Sequence, residues 1–164
     1  MNTALKQRII LGLDPGLARL GYGVISVTGN SLSCIAFGCI ETPSTHSLSQ
    51  RLEELYNELS SLIKKFSPHL AAVEKLFFAK NTKTALDVSQ ARGVILFTLA
   101  HAKIPVYECT PLQVKQAVVG YGRAEKRQIQ KMVQLLLSLS TPPRSDDAAD
   151  ALAIAICASN NRIE

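Results

Sequence analysis

Four carboxylates stand out by type and position. Asp14 ends the apolar run RIILGLD and is followed by Pro15-Gly16. Glu74 comes late in the apolar stretch HLAAVEKLFF. Asp147 and Asp150 lie in RSDDAADALAIAI, residues 144–156, where negative charge opens an otherwise apolar segment. Converging carboxylates cannot all stay ionised without a countercharge. Oxygen-only ligands select hard divalent ions, Mg²⁺ or Mn²⁺, over zinc. Two such ions about 3.5–4 Å apart suit phosphodiester hydrolysis, one acidifying the attacking water and the other steadying the leaving 3′ oxygen. That chemistry needs no serine or cysteine nucleophile, and no Ser-His-Asp arrangement stands out.

Each acid also has a plainer explanation. Ser145 is a good N-cap. Asp146 and Asp147, in the first helical turn after it, offset the positive end of the helix dipole. Asp150 is less well explained this way. It shares a helix face with Asp147, three residues earlier, and that face continues into Ala151 and Ile154. From this segment alone, a capping role and a cation site are equal readings. Asp14 and Glu74, taken singly, are strand-end residues meeting solvent.

The elements that would bring the acids together can be read from periodicity. RIILGLDPG is a buried strand ending at Asp14. GYGVISVTGN and SLSCIAFGCIETP are two more strands, joined by the Gly29-Asn30 turn in an antiparallel meander. Leu52, Leu55, Tyr56, Leu59, Leu62, Ile63 and Phe66 follow helical spacing until Ser67-Pro68. HLAAVEKLFF is a fourth strand. The segment from Asn81 to Ala102 is a second helix, IPVYECT a fifth strand, and Thr110-Pro111 the start of a short helix that ends at Gly120. AEKRQIQKMVQLLLSL is a further helix, and the residues after Ser145 form the last one. The order βββαβαβ followed by helices predicts an α/β fold with a five-stranded mixed sheet and helices on both faces, as one domain over residues 1–164. If the first and fourth strands are parallel neighbours, Asp14 and Glu74 share one rim of the sheet. The last helix can then hold Asp147 and Asp150 over that rim.

The bulk numbers narrow the setting. Net charge is +5. Between Lys75 and Lys131 ten Lys or Arg face three acids, a surplus of seven that suits a polyanionic partner. No apolar run approaches the ~20 residues of a membrane span, and no signal peptide is evident, so a cytoplasmic protein is expected. The four cysteines, at 34, 39, 109 and 157, form no C-x-x-C pair. Reduced thiols are expected rather than zinc ligands. Cys34 and Cys39, an odd number apart on one strand, are expected on opposite faces.

Longer blocks carry a family resemblance. LGLDPGLARLGYGVI, AVEKLFFAKNTKTAL, SQARGV, QVKQAVVGYGRAEKRQIQKMV and DDAADALAIAI resemble the RuvC type of crossover junction endonuclease, nearly end to end. The resemblance implies a ribonuclease-H-like fold and a homodimer. It implies paired nicks, dependent on Mg²⁺, in two strands of like polarity at a four-way (Holliday) DNA junction during recombination and repair. It also implies two metal ions per site, with Mn²⁺ able to substitute, held by Asp14, Glu74, Asp147 and Asp150. Asp146 is left as a capping-type acid beside them. DNA contacts are implied at Phe77, Lys83, Lys115, Lys126 and Arg127, with Phe77 resembling an aromatic that stacks on a junction base. The helix from about residue 81, with Gly93, resembles the dimer-forming element, and a branch-migration motor of the RuvA and RuvB type is the implied partner. Two other readings use the same residues. LGLDPG and the hairpin after it also resemble the phosphate loop of actin-like and sugar-kinase phosphotransferases, which need a second such domain. A catalytically silent DNA-binding module would gain nothing from acids that repel phosphate.

Overall fold

Strand β1, Arg8–Asp14, lies in the interior of a sheet whose order is β3-β2-β1-β4-β5. The computed structural model describes residues 6–76 and 82–160, without the side chains of residues 82–84. β2 (Arg19–Thr28) and β3 (Ser31–Glu41) continue from β1 as the expected antiparallel meander. β4 (Leu70–Glu74) and β5 (Val106–Cys109) pair parallel on the other side. Parallel neighbours need crossover connections. Helix α1 (Leu48–Phe66) supplies one and α2 (Thr82–His101) the other. Three helices follow: α3 (Pro111–Val119), α4 (Lys126–Leu136) and α5 (Asp146–Ser159).

Local chemistry sets the helix ends. Ser47 and Gln50 form a capping box at the start of α1, and Thr110 and Gln113 do the same for α3. α1 stops where Ser67 turns left-handed before Pro68. Gly120 closes α3 in the same left-handed conformation, at φ 89°.

Side chains alternate across a strand. Leu11 and Leu13 of β1, with Ala71 and Val73 of β4, pack with Leu55, Leu59, Ile95 and Leu99 of α1 and α2. Ile10 of β1 and Leu70 and Ala72 of β4 face the opposite way, into a second core formed with α3, α4 and α5. By the same alternation Asp14 and Glu74 fall on the α5 side.

Three expectations change in detail. β4 ends at Glu74 rather than running on through Lys75 and Leu76, so Glu74 is the last residue of its strand; the rest of the expected strand, Phe77 and Phe78, lies outside the described residues. β5 is only four residues long. Cys34 and Cys39 share a face. The register steps from Val24↔Ala36 to Ile25↔Cys34, leaving Ile35 as an extra residue. A bulge of this kind reverses the alternation. Cys34 therefore packs against the α5-side core, and Cys39 Sγ lies 3.0 Å from Ser145 Oγ at the start of α5. Among the described residues, no helix is long and apolar enough to cross a membrane.

Candidate active site

The rim is built by register. β1 and β4 run parallel, and their last matched pair is Leu13↔Val73. Asp14 and Glu74 come one step later, at the carboxyl ends of adjacent strands and on the same face. That is where ligands bind in open α/β sheets.

α5 brings the other two acids. It is buried along almost its whole length, from Ala148 to Ala158. It lies so close to β1 and β2 that side chains beneath it would collide. A Cβ on Gly12 would sit 2.7 Å from the Ala155 backbone nitrogen. A Cβ on Gly21, the residue paired with Asp14, would sit 2.5 Å from the carbonyl carbon of Asp147. Gly23 meets Leu152 in the same way. These glycines form a bare track on which the helix rests, and Asp147 and Asp150 are set over the rim as a result. The sequence reading missed their role. The available signal was glycine recurring inside strands, which marks close backbone approach.

Charge is crowded at the rim. Burial, then the charges of Asp150, Glu74 and Asp147, push the Asp14 pKa up from 3.8 to about 7, against a smaller opposing pull from Lys126. Burial and Asp150 raise Glu74 as well. Burial also raises Asp150, and the nearby Lys126 ammonium offsets part of that rise. Lys126 Nζ lies 3.1 Å from Asp146 and 3.5 Å from Asp150. Desolvation pulls the Lys126 pKa down, but its bonds and attraction to these two acids outweigh that and hold it above the ordinary lysine value.

The helix N-terminus is capped as expected. The Ala148 N–H donates to Ser145 Oγ at 3.5 Å. Asp146 is not itself the cap. It is exposed in the first turn, accepts from Gln130 Nε2 at 2.8 Å and pairs with Lys126, so it ties α4 to α5.

The acids open onto two clefts. Glu74 and Asp150 line one of about 270 Å³, together with Lys115 and Lys126. Asp147 opens onto another, beside Gly16 and Arg51. Two of the expected DNA-binding residues thus join the acids. Arg127 is exposed on α4 and does not line that first cleft. Phe77 and the Lys83 side chain lie outside the described residues.

Among the described residues, no three His, Cys, Asp or Glu side chains already close into a metal cage. The crowding is still explicit in the raised pKa values of Asp14, Glu74 and Asp150. They form a half-buried, oxygen-only donor set carrying more negative charge than it holds comfortably near neutral pH. That set fits a hard divalent cation.

The sequence model of the family described as Crossover junction endodeoxyribonuclease RuvC matches residues 10–158. The protein of that name from Natranaerobius thermophilus is 54% identical over 149 residues, covering 91% of this chain and 92% of the relative. The one from Desulfitobacterium hafniense is 56% identical, covering 91% and 90%. Among solved structures, T. thermophilus RuvC in complex with Holliday junction substrate superposes with a TM-score of 0.87 at 33% identity, over 92% of each chain. The yeast mitochondrial Holliday junction resolvase, at 16% identity and TM-score 0.67 over 92% of this chain and 77% of that one, shares the fold. The five-stranded mixed sheet with its helices is that of a ribonuclease-H-like resolvase fold, and the chain belongs to the RuvC family of crossover junction endodeoxyribonucleases.

Proposed function

We propose that this chain resolves four-way DNA junctions by paired, metal-dependent nicks in two strands of like polarity. Asp14, Glu74, Asp147 and Asp150 would hold two divalent ions, Mg²⁺ with Mn²⁺ able to substitute. When bound, such ions supply an acidified water and a stabilised leaving 3′ oxygen. The single observation that carries the reading is the convergence of the four acids on one partly buried rim, where burial first, and then the charges of Asp150, Glu74 and Asp147, lift the Asp14 pKa to about 7. The chain's own groups position the substrate. Lys115 and Lys126, which line the cleft with Glu74 and Asp150, would contact phosphates of the strand being cut. Arg127, exposed on the same helix as Lys126, is a further phosphate contact in this reading, as are Phe77 and Lys83 through the family resemblance. The direct experiment is incubation of a synthetic four-way junction with the protein and Mg²⁺, mapping both nicks. Symmetric nicks in like strands are expected. No cutting, or equal cutting of linear duplex, would refute the reading. No observation favours the phosphotransferase or the silent binding module.

Paired nicks call for two active sites, so the reading includes a homodimer. α2 supports it. Leu86 and Phe97 are each 62% exposed, and open space lies above Gly93. Positions 86, 93 and 97 fall along one helix face. Exposed apolar stripes of this kind mark interfaces. Phe97→Asp is expected to weaken dimerisation by roughly 30-fold or more, the scale of a hot-spot residue. Sedimentation equilibrium measures this, and an unchanged dimer would remove α2 from the interface. A branch-migration motor of the RuvA and RuvB type is the partner this reading implies.

A further inference from the structure

The acids sit on a saddle between two clefts, and the reading above uses only one. Asp147 faces the other, a cavity of about 350 Å³ lined also by Gly16, Arg19, Arg51 and Asp87. Arg51 is held rigidly there. Its Nε donates to Thr42 Oγ1 at 2.9 Å. The buried Thr42 hydroxyl donates in turn to the Leu17 carbonyl at 2.6 Å, and the Thr42 N–H donates to the Ala18 carbonyl at 3.2 Å. One threonine therefore ties the end of β3, the turn after Asp14 and helix α1 together. Fixing Nε sets the plane of the guanidinium and leaves its Nη groups as a fork. Among the described residues, Arg51 makes no ion pair with an acid. Its neighbour Arg19 is already paired with Glu41 at 3.1 Å.

A strand whose scissile phosphate lies over the saddle must place further phosphates on both sides of it. Lys115 and Lys126 serve one side. We infer that Arg51 is the contact for the other, gripping a backbone phosphodiester of the cut strand on the Asp147 flank. A guanidinium fork matches two phosphate oxygens at once. Asp87 and Asp147 on the same wall oppose capture of a free anion, so the contact forms with a strand that the rest of the interface delivers, and inorganic phosphate is not expected to bind. This assignment rests on the junction-cutting reading.

The test compares the full chain with Arg51→Gln, binding a four-way junction in EDTA over a range of salt. Affinity is expected to fall about tenfold, the loss of one charge-assisted hydrogen-bonding group. The slope of log affinity against log salt is expected to shrink by about 0.9, one phosphate contact fewer. A variant that melts at lower temperature but keeps the parent's affinity and slope would show a clamp without a DNA contact, and would overturn the inference. The second arm needs no variant. Junctions carrying one neutral methylphosphonate at successive positions around the cut are bound by the parent protein. Weakened binding on both sides of the cut is expected, and sensitivity on one side alone overturns the assignment. Both arms read binding without metal. A parent protein that binds but never cuts would sink the proposed function instead, leaving the Arg51 contact standing or falling on its own result.

Discussion

Asp14→Asn is expected to cripple junction cleavage while making the metal-free protein more stable at pH 8. The two effects share one cause. Asp14 lies among Glu74, Asp147 and Asp150 in a partly buried rim, where its pKa is about 7 rather than 3.8. The folded protein therefore keeps a proton that the unfolded chain sheds between those two values. For such a group the stabilising contribution is complete below pH 3.8. It is lost steadily as pH rises, and is gone above pH 7. A displacement of that size corresponds to at most about 4 kcal/mol, shared among coupled acids. Asparagine has no such proton to lose. In EDTA the variant should thus melt higher than the parent at pH 8, by about 2–4 °C for each kcal/mol recovered. The two melting temperatures should converge toward pH 4. Cleavage should fall on the order of 10³-fold, the scale of losing one electrostatic group at the reacting centre, with junction binding in EDTA retained. Equal melting at pH 8, or continued nicking by Asp14→Asn, would count against the acids acting as one site.

Gly21→Ala is the second large effect, and it involves no charged group. Gly21 pairs with Asp14 across β1 and β2, and its missing side chain is where the backbone of Asp147 rests. A methyl there would stand 2.5 Å from the Asp147 carbonyl carbon and 3.1 Å from its Cβ. The closer contact is with backbone, and a Cβ is fixed to it, so neither atom has a rotamer to escape into. The first turn of α5 must lift, carrying Asp147 and Asp150 away from Asp14 and Glu74. Overpacking of this kind costs about 1–3 kcal/mol. The effect on cleavage should be far larger than the effect on folding, on the order of 10²-fold for a shift near 1 Å. Circular dichroism melts together with junction cleavage make the comparison. A protein that is destabilised but cuts at the parental rate would show that α5 tolerates displacement.

Much of the fold could be read along the chain because the relevant signals are local. Alternation and short turns mark the meander, and helical spacing marks α1. Ser145, Thr110 and Pro111 announce the starts of α5 and α3 by the backbone N–H groups they satisfy or lack. The end of β4 was harder, because KLFF after Glu74 is as apolar as the strand before it, and composition alone does not stop a strand there. The faces of Cys34 and Cys39 are not legible from spacing for a related reason. A bulge at Ile35 is a property of the pairing with β2, which neither strand carries alone.

The acids themselves, their order and the chemistry of an oxygen-only donor set belong to the sequence by itself. Their convergence does not. It depends on β1 and β4 being parallel neighbours in register, and on α5 descending onto Gly12, Gly21 and Gly23. The pairing of Lys126 with Asp146 and Asp150, and the seating of Arg51 by Thr42, likewise exist only once separate elements have packed. The physical reason is distance. Charge interactions and excluded volume act over a few ångströms in space, whereas residues 14 and 150 are brought that close only by the folded sheet and the helix lying on it.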